Sequence, residues 1–155
     1  MLLFGDPNSL PSAHSARIMQ ENMIAVCSPD YLDNRSAFSL KQLAHEKLLL
    51  LNNPSHLDDW ETFFGKTTAH PVDAITARYN SFMVYLQAAL SGQGVMLGWT
   101  GLLDDLIDDG KLVYACDHRL RTSRGYFACL MPYAKNKTAA RQFFDWICGI
   151  NASNV

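Results

Sequence analysis

The sequence predicts an α/β fold with largely parallel strand pairing. Two observations carry that expectation. Short apolar runs, Met23-Ile24-Ala25-Val26-Cys27, Lys47-Leu48-Leu49-Leu50-Leu51 and Val95-Met96-Leu97-Gly98-Trp99, alternate with stretches of helical spacing. The join between one such helix and the strand after it, Gly92-Gln93-Gly94, has the glycines of a tight turn.

The elements follow in chain order. Met23–Cys27 is a strand, and Ser28-Pro29-Asp30 opens a helix with proline at an early position. Leu40–Ala44 is one helical turn, and Lys47–Leu51 is a buried strand. His56–Gly65 is a short helix that turns Trp60, Phe63 and Phe64 inward and closes on Gly65; the three rings read as a core or interface stripe. Asp73–Tyr79 is a strand. Asn80 and Ser81, both good N-cap types, precede a helix on which Phe82, Tyr85, Leu86, Ala89 and Leu90 share one face. Met83, Val84 and Ala88 make its other face apolar too, so burial on most sides is expected. After the strand Val95–Trp99, Leu103, Leu106 and Ile107 form a stripe opposite Asp104, Asp105, Asp108 and Asp109, and Gly110 stops that helix. Leu112–Cys116 and Gly125–Met131 are two strands, and Lys137–Ile150 is a final helix with Ala139, Phe143, Trp146, Ile147 and Ile150 on one face. Asp6–Ala16, Asn52–His56 and Asp117–Ser123 look like linkers.

The glycines at 92 and 94 do not make a nucleotide loop. A dinucleotide fingerprint runs strand, glycines, helix, because the phosphate must meet a helix N-terminus. Here the order is helix, glycines, strand.

Composition excludes other classes. The 155 residues suit one ordinary domain or a two-lobed one with small lobes. Apolar residues make up 48%, enough for a core. A net charge of -2 with no run of Lys or Arg argues against a chain that grips DNA by itself. Met1-Leu2-Leu3-Phe4 gives way at once to Gly5-Asp6-Pro7, so no signal peptide is expected. Cys27, Cys116, Cys129 and Cys148 form no C-x-x-C pair; they read as reduced, buried cysteines of a cytosolic protein rather than metal ligands. His14, His45, His56, His70 and His118 are scattered and read as surface histidines. The aspartates at 104–109 lack the ligand spacing of a calcium loop and read as a solvated helix face. No G-x-S-x-G elbow, P-loop or evident Cys–His pair points to an enzyme, and no cofactor is implied.

At this point the residues carry a resemblance. "ENMIAVCSPDYL", "LLLL…DDWETFF", "YNSFMVYLQAALSGQGVMLGWTGLLDDLIDDGKLV" and "RGYFACLMP", in that order and followed by an amphipathic helix, resemble the effector-binding domain of LysR-type transcriptional regulators. The likeness runs from about Leu2 to about Ile150. Within that family, "LQAALSGQGVMLGW" and "RGYF" are most similar to the branch tied to choline sulfate utilisation and its glycine-cleavage-regulator-like relatives.

The resemblance implies a periplasmic-binding-protein type II-like fold of two Rossmann-like lobes, with the first lobe N-terminally truncated. "LLFGDPN" matches a strand inside that first lobe, so the family's winged helix-turn-helix and the lobe's first strand–helix unit are missing. It divides the chain into a partial first lobe and crossover (1–46), a second lobe (47–116), a return crossover with a C-terminal helix packing on the first lobe (117–150), and a tail (151–155). Its implied role is a bacterial, cytoplasmic effector sensor whose DNA contacts belong to the missing domain. Its implied partners are a small-molecule effector and further copies of the chain, because truncation exposes a sheet edge and apolar surface. A partly disordered Met1–Ser36 region is the alternative consequence. The helix 57–64 or 81–92 could form such a dimer contact. A periplasmic-type solute-binding fragment would share the architecture but wants a signal sequence; a small α/β enzyme is the further alternative.

The candidate ligand site joins Phe4, Tyr79, Asn80, Ser81, Phe82, Trp99 and Thr100. Asn80-Ser81 cap a helix whose free N–H groups favour a carboxylate or sulfate, and Thr100 opens a second helix in the same way. The rings of Tyr79, Phe82 and Trp99 could hold a quaternary ammonium. Together they suit a small anionic or zwitterionic metabolite such as choline sulfate or a betaine. Phe82 reads equally well as core, and Ser81 and Thr100 as caps alone.

Overall fold

Six strands and six α-helices form among the residues that the computed structural model describes, 1–11, 14–65 and 75–152. The strands are β1 (Leu2–Gly5), β2 (Ser15–Cys27), β3 (Leu48–Leu51), β4 (Ile75–Tyr79), β5 (Met96–Trp99) and β6 (Val113–Cys129). The helices are α1 (Pro29–Leu32), α2 (Leu40–Leu43), α3 (Asp59–Phe64), α4 (Phe82–Leu90), α5 (Asp104–Asp108) and α6 (Thr138–Ala152). His70 and the first two residues of the expected strand 73–79 lie outside the described residues. Met1–Glu21 and Arg121–Val155 make one compact unit, and Asn22–Leu120 makes the other. The chain passes from one to the other twice, inside β2 and inside β6.

Local chemistry starts and stops the helices of the central unit. Ser28 Oγ accepts the Tyr31 N–H at 3.2 Å, and Pro29 occupies the first helical position, where its missing donor costs nothing. Ser39 and Gln42 form a capping box around the start of α2. Gly92, at φ 74°, ends α4 in a Schellman turn: its N–H reaches Ala89 O, and the Gln93 N–H reaches Ala88 O.

Gly94 does something different. It brings β5 against β3, where the Val95 N–H donates to Lys47 O at 2.8 Å and the Leu49 N–H to Val95 O at 2.9 Å. A Cβ on Gly94 would lie 2.4 Å from that Lys47 carbonyl oxygen. β3 therefore has β5 and β4 as parallel neighbours, with Leu51 opposite Tyr79.

The pairing is not parallel throughout. β2 runs antiparallel to β5, with Met23 opposite Trp99. β1 runs antiparallel to β6, with Leu2 opposite Ala128. A crossover helix imposes parallel pairing only on strands that it joins, as α3 does for β3 and β4. The strands of the antiparallel pairs are remote in sequence, so no such helix sets their direction.

Four further expectations are corrected. The expected linker Asp117–Ser123 is the middle of β6, one strand of 17 residues. Arg119, Arg121 and Ser123 are exposed and alternate with half-buried Leu120 and Thr122, the period of a solvated strand whose polar content resembles a loop. Ser15 and Ala16, at the end of the expected first linker, likewise belong to β2. α4 is buried on one side only, through Tyr85, Ala88 and Ala89, while Met83 and Val84 are exposed, because the strands cover a single face. On α6 the half-buried line is Ala140, Phe144, Ile147 and Cys148; Phe143 and Trp146 of the expected inward stripe face solvent.

The core of the central unit gathers on the Leu49 carbonyl. Trp60, Phe63 and Phe64 are all buried, as the stripe implied, and Trp60 Nε1 donates to Leu49 O at 2.7 Å. The buried Tyr85 hydroxyl accepts the Leu97 N–H at 2.8 Å and donates toward Leu97 O at 3.1 Å. It joins α4 to β5 beyond the point where the β3–β5 bridge ends. Burial pushes its ionisation far above the ordinary tyrosine range.

Two groups near α1 make alkaline stability a test of this packing. Tyr31 donates to Glu46 Oε2 at 2.8 Å and accepts the Lys47 N–H at 3.0 Å. Burial, then the bond to Glu46, pushes its hydroxyl up to about 12. Burial likewise pushes the fully buried Cys27 thiol up to about 11. In the unfolded chain these groups ionise near 9.0 and 10.0, so the unfolded state loses protons first. Their contribution is complete below about pH 9 and is lost as pH rises toward about 12. The melting temperature should therefore be level from about pH 7 to about pH 8.5 and fall steadily above, less steeply in Cys27→Ala. A level profile through about pH 11 would contradict the packing around both groups.

Candidate functional site

Three parallel strands of the central unit end side by side, and the site candidates follow their carboxyl ends. Asn52 follows β3, Asn80 and Ser81 follow β4, and Thr100 follows β5. Open α/β sheets bind ligands outside this edge, where loops and helix N-termini converge. The Asn52 N–H donates to Tyr79 O at 2.7 Å and prolongs the β3–β4 ladder. Its Nδ2 donates to Asn80 Oδ1 at 2.8 Å, which fixes the exposed Asn80 amide beside the start of α4.

Ser81 is the N-cap of α4 in extended conformation (φ -122°, ψ 129°). Its carbonyl takes the Tyr85 N–H at 3.0 Å, but its hydroxyl caps nothing. The first turn of α4 carries no acidic residue. A helix start with neither a side-chain cap nor an acid presents unneutralised N–H dipoles, and exposed Asn80 and Ser81 immediately precede it.

The second expected helix start is different. Thr100 does not open α5, which begins at Asp104 with Leu103 as N-cap. Thr100 lies in the turn before it, its own N–H donating to Asn22 O at 3.1 Å. Asp104 Oδ1 accepts the Gly101 N–H at 2.9 Å, and Asp104 and Asp105 supply acids to that first turn. Negative charge therefore already occupies this helix start, which leaves α4 as the anion-facing one.

The aromatic residues do not form one set. Trp99 is buried, its ring 5.9 Å from Phe82 and 5.0 Å from His56. Phe82 is half-buried and also touches Tyr85. The Tyr79 hydroxyl donates to Gln93 Oε1 at 2.9 Å, past the far end of α4. Phe4 belongs to the other unit, where its ring lies 5.1 Å from Tyr126 and under the Arg124 guanidinium at 5.4 Å. That guanidinium holds the buried Glu21 carboxylate at 2.8 and 3.0 Å.

Sequence reasoning missed Asn52 and His56. His56 is no surface histidine: its Nδ1 lies 2.8 Å from Asp59 Oδ2, and its ring covers Trp99. The available signal was positional, since both residues sit in the loop that leaves a buried strand. The four aspartates of 104–109 are exposed as expected.

Parallel strands joined by short helices, with an open helix start at their carboxyl edge, define an α/β ligand-binding module of the periplasmic-binding-protein type II-like class. The chain belongs to the LysR substrate binding domain family, whose model matches residues 1–148. Among solved structures it is similar to the effector domain of the transcriptional regulator AmpR of Pseudomonas aeruginosa, at 15% identity and TM-score 0.76, covering 99% of this chain and 71% of that one. The AmpR effector binding domain of Citrobacter freundii is similar at 17% identity and TM-score 0.76, covering 98% and 74%. Full-length AphB, a virulence activator of Vibrio cholerae, is similar at 21% identity and TM-score 0.71, covering 97% of this chain and 51% of that one. No curated protein sequence matches the chain. No helix among the described residues is long and apolar enough to cross a membrane.

Proposed function

We propose that the chain is the effector-sensing domain of a cytoplasmic LysR-type transcriptional regulator, and that its effector is a small anion or zwitterion. The observation that carries the proposal is the start of α4, free of acid and of any side-chain cap, with the Asn80 amide held beside it by Asn52. Such a group of donors suits a carboxylate or sulfate. DNA contact would belong to a winged helix-turn-helix elsewhere in the full regulator, as in the family at large. Choline sulfate is the first effector to try, because of the resemblance of "LQAALSGQGVMLGW" and "RGYF" to the choline sulfate branch.

The test is a thermal-shift titration with choline sulfate, choline, betaine and small carboxylates, since a ligand of the folded state raises the melting temperature by mass action. A dose-dependent rise with at least one anion or zwitterion, and none with choline, is expected. Asn80→Asp, which places a carboxylate against the helix start, should weaken that ligand roughly tenfold or more. A response to choline alone, or to no member of the panel, would sink the anion reading.

A further inference from the structure

We propose that the cavity between β1, β6 and α6 is a soft-metal site, in which the sulfur atoms of Met1, Cys129 and Met131 hold one Cu(I) ion. The inference lies wholly within the unit made of Met1–Glu21 and Arg121–Val155, and it does not rest on the effector reading.

The backbone sets three sulfur-bearing side chains on one face. Met1 and Cys129 oppose each other at the end of the β1–β6 ladder, and each nitrogen donates to the other's carbonyl, at 3.0 and 2.8 Å. Residues that exchange both bonds are about 5.5 Å apart at Cα and project from the same side of the sheet. Met131 follows two residues after Cys129 in extended conformation (φ -68°, ψ 149°), and the Leu130 N–H between them still donates to His14 O at 2.9 Å. Extended side chains return to the same face at every second residue. All three residues line a cavity of about 90 Å³, whose wall α6 completes through Ala140 and Phe144.

Packing alone does not account for this arrangement. Methionine bends to fill irregular gaps, yet the two methionines that border this one do not fill it. Protein interiors hold few voids larger than a water molecule. The Cys129 side chain is 1% exposed, and its thiol has no hydrogen-bond partner among the described residues. By contrast, no buried side-chain nitrogen or oxygen among them lacks a partner.

The donor set selects the ion. Among the described residues no carboxylate or imidazole lines the cavity, so a hard cation finds no charged oxygen ligand and zinc finds neither a second thiolate nor a histidine. Thiolate and thioether ligands favour Cu(I). Charge gives the same answer. As the Cu–S bond forms, the Cys129 S–H bond breaks and its proton passes to solvent. The thiolate, the monovalent ion and two neutral thioethers then sum to zero. A divalent ion would leave a net positive charge among apolar walls, which is costly without a partner. The lack of a C-x-x-C pair argues against a zinc site of clustered cysteines, and it does not bear on a site completed by methionines.

The test is an anaerobic titration of the full chain with Cu(I), in competition with a chromogenic Cu(I) chelator. One ion per chain is expected, together with a melting temperature that rises with Cu(I). Absorption at the copper K edge should show sulfur neighbours alone. Cys129→Ser should weaken binding roughly hundredfold or more, and Met131→Leu, which keeps the volume, roughly tenfold. Cys148→Ser, which removes a thiol outside the cavity, should leave the affinity unchanged. Should Cys129→Ser fail to fold, the edge spectrum and Met131→Leu decide the matter. No ion retained against the chelator, nitrogen or oxygen neighbours at the edge, an affinity unmoved by Met131→Leu, or an equal loss in Cys148→Ser would each overturn the proposal.

Discussion

Alanine in place of Trp60 should lower stability by about 3–5 kcal/mol, among the largest effects expected of any single substitution. The ring is 1% exposed and packed against Phe63 and Phe64, at 5.9 and 5.6 Å between ring centres. Its removal leaves a cavity that the short helix α3 cannot close, because Gly65 ends α3 and the strands are held by their own ladders. It also takes from Leu49 O the Trp60 Nε1 donor at 2.7 Å, leaving that carbonyl with the Tyr85 hydroxyl at 3.4 Å. Trp60→Phe separates the two contributions, since it keeps most of the volume and loses the N–H; about 1–2 kcal/mol is expected for it. Urea unfolding of the two variants checks both numbers. A Trp60→Ala protein within about 1 kcal/mol of the parent would mean that α3 does not anchor this core.

The second large effect belongs to Gly94. A methyl group there would sit 2.4 Å from Lys47 O and 3.0 Å from Leu49 Cδ2. The first neighbour is backbone, and it accepts the Val95 N–H that joins β5 to β3. It cannot swing aside as a flexible side chain would, so the strands must part. Gly94→Ala should therefore cost about 3 kcal/mol or more. Gly110→Ala is the control: nothing lies within 4 Å of the added atom, and only its positive φ of 69°, in the Schellman turn that ends α5, opposes it, for about 1 kcal/mol. Equal melting temperatures for the two variants would refute the argument from close approach.

The contrast between these glycines shows what sequence can convey. Gly110, like Gly65 and Gly92, follows helical spacing, and a reader of residues alone places all three as helix ends. Gly94 is read as part of the same turn, but its contact with Lys47 joins residues remote in sequence. The same division runs through the fold. β3, α3 and α4 are legible because apolar spacing and caps act within a few residues. The middle of β6 is not, because its arginines and serines satisfy a strand period while imitating a loop. On α6, Ala139-Phe143-Trp146 and Ala140-Phe144-Ile147 are adjacent apolar lines, and only the surface beneath the helix selects the second. At the candidate site, Asn80 and Ser81 were visible as cap residues. The Asn52 amide that holds Asn80, the His56 ring on Trp99 and the outward path of Tyr79 to Gln93 depend on strand register and loop course, which no local pattern encodes.

The division of the chain has a consequence for its synthesis. Asn22–Leu120 is one continuous segment, while the other unit is built from both ends, Met1–Glu21 and Arg121–Val155. β1 has its ladder partner in β6, from Gly125 to Ala128. A growing chain can therefore complete its middle first. Chains stalled before residue 121 should already protect Leu48–Leu51 from protease and leave the segment before Glu21 open; protection of both would contradict this order. Within this domain the first residues made are the last to be paired, and a ribosome that stops short leaves them with nothing to pair against.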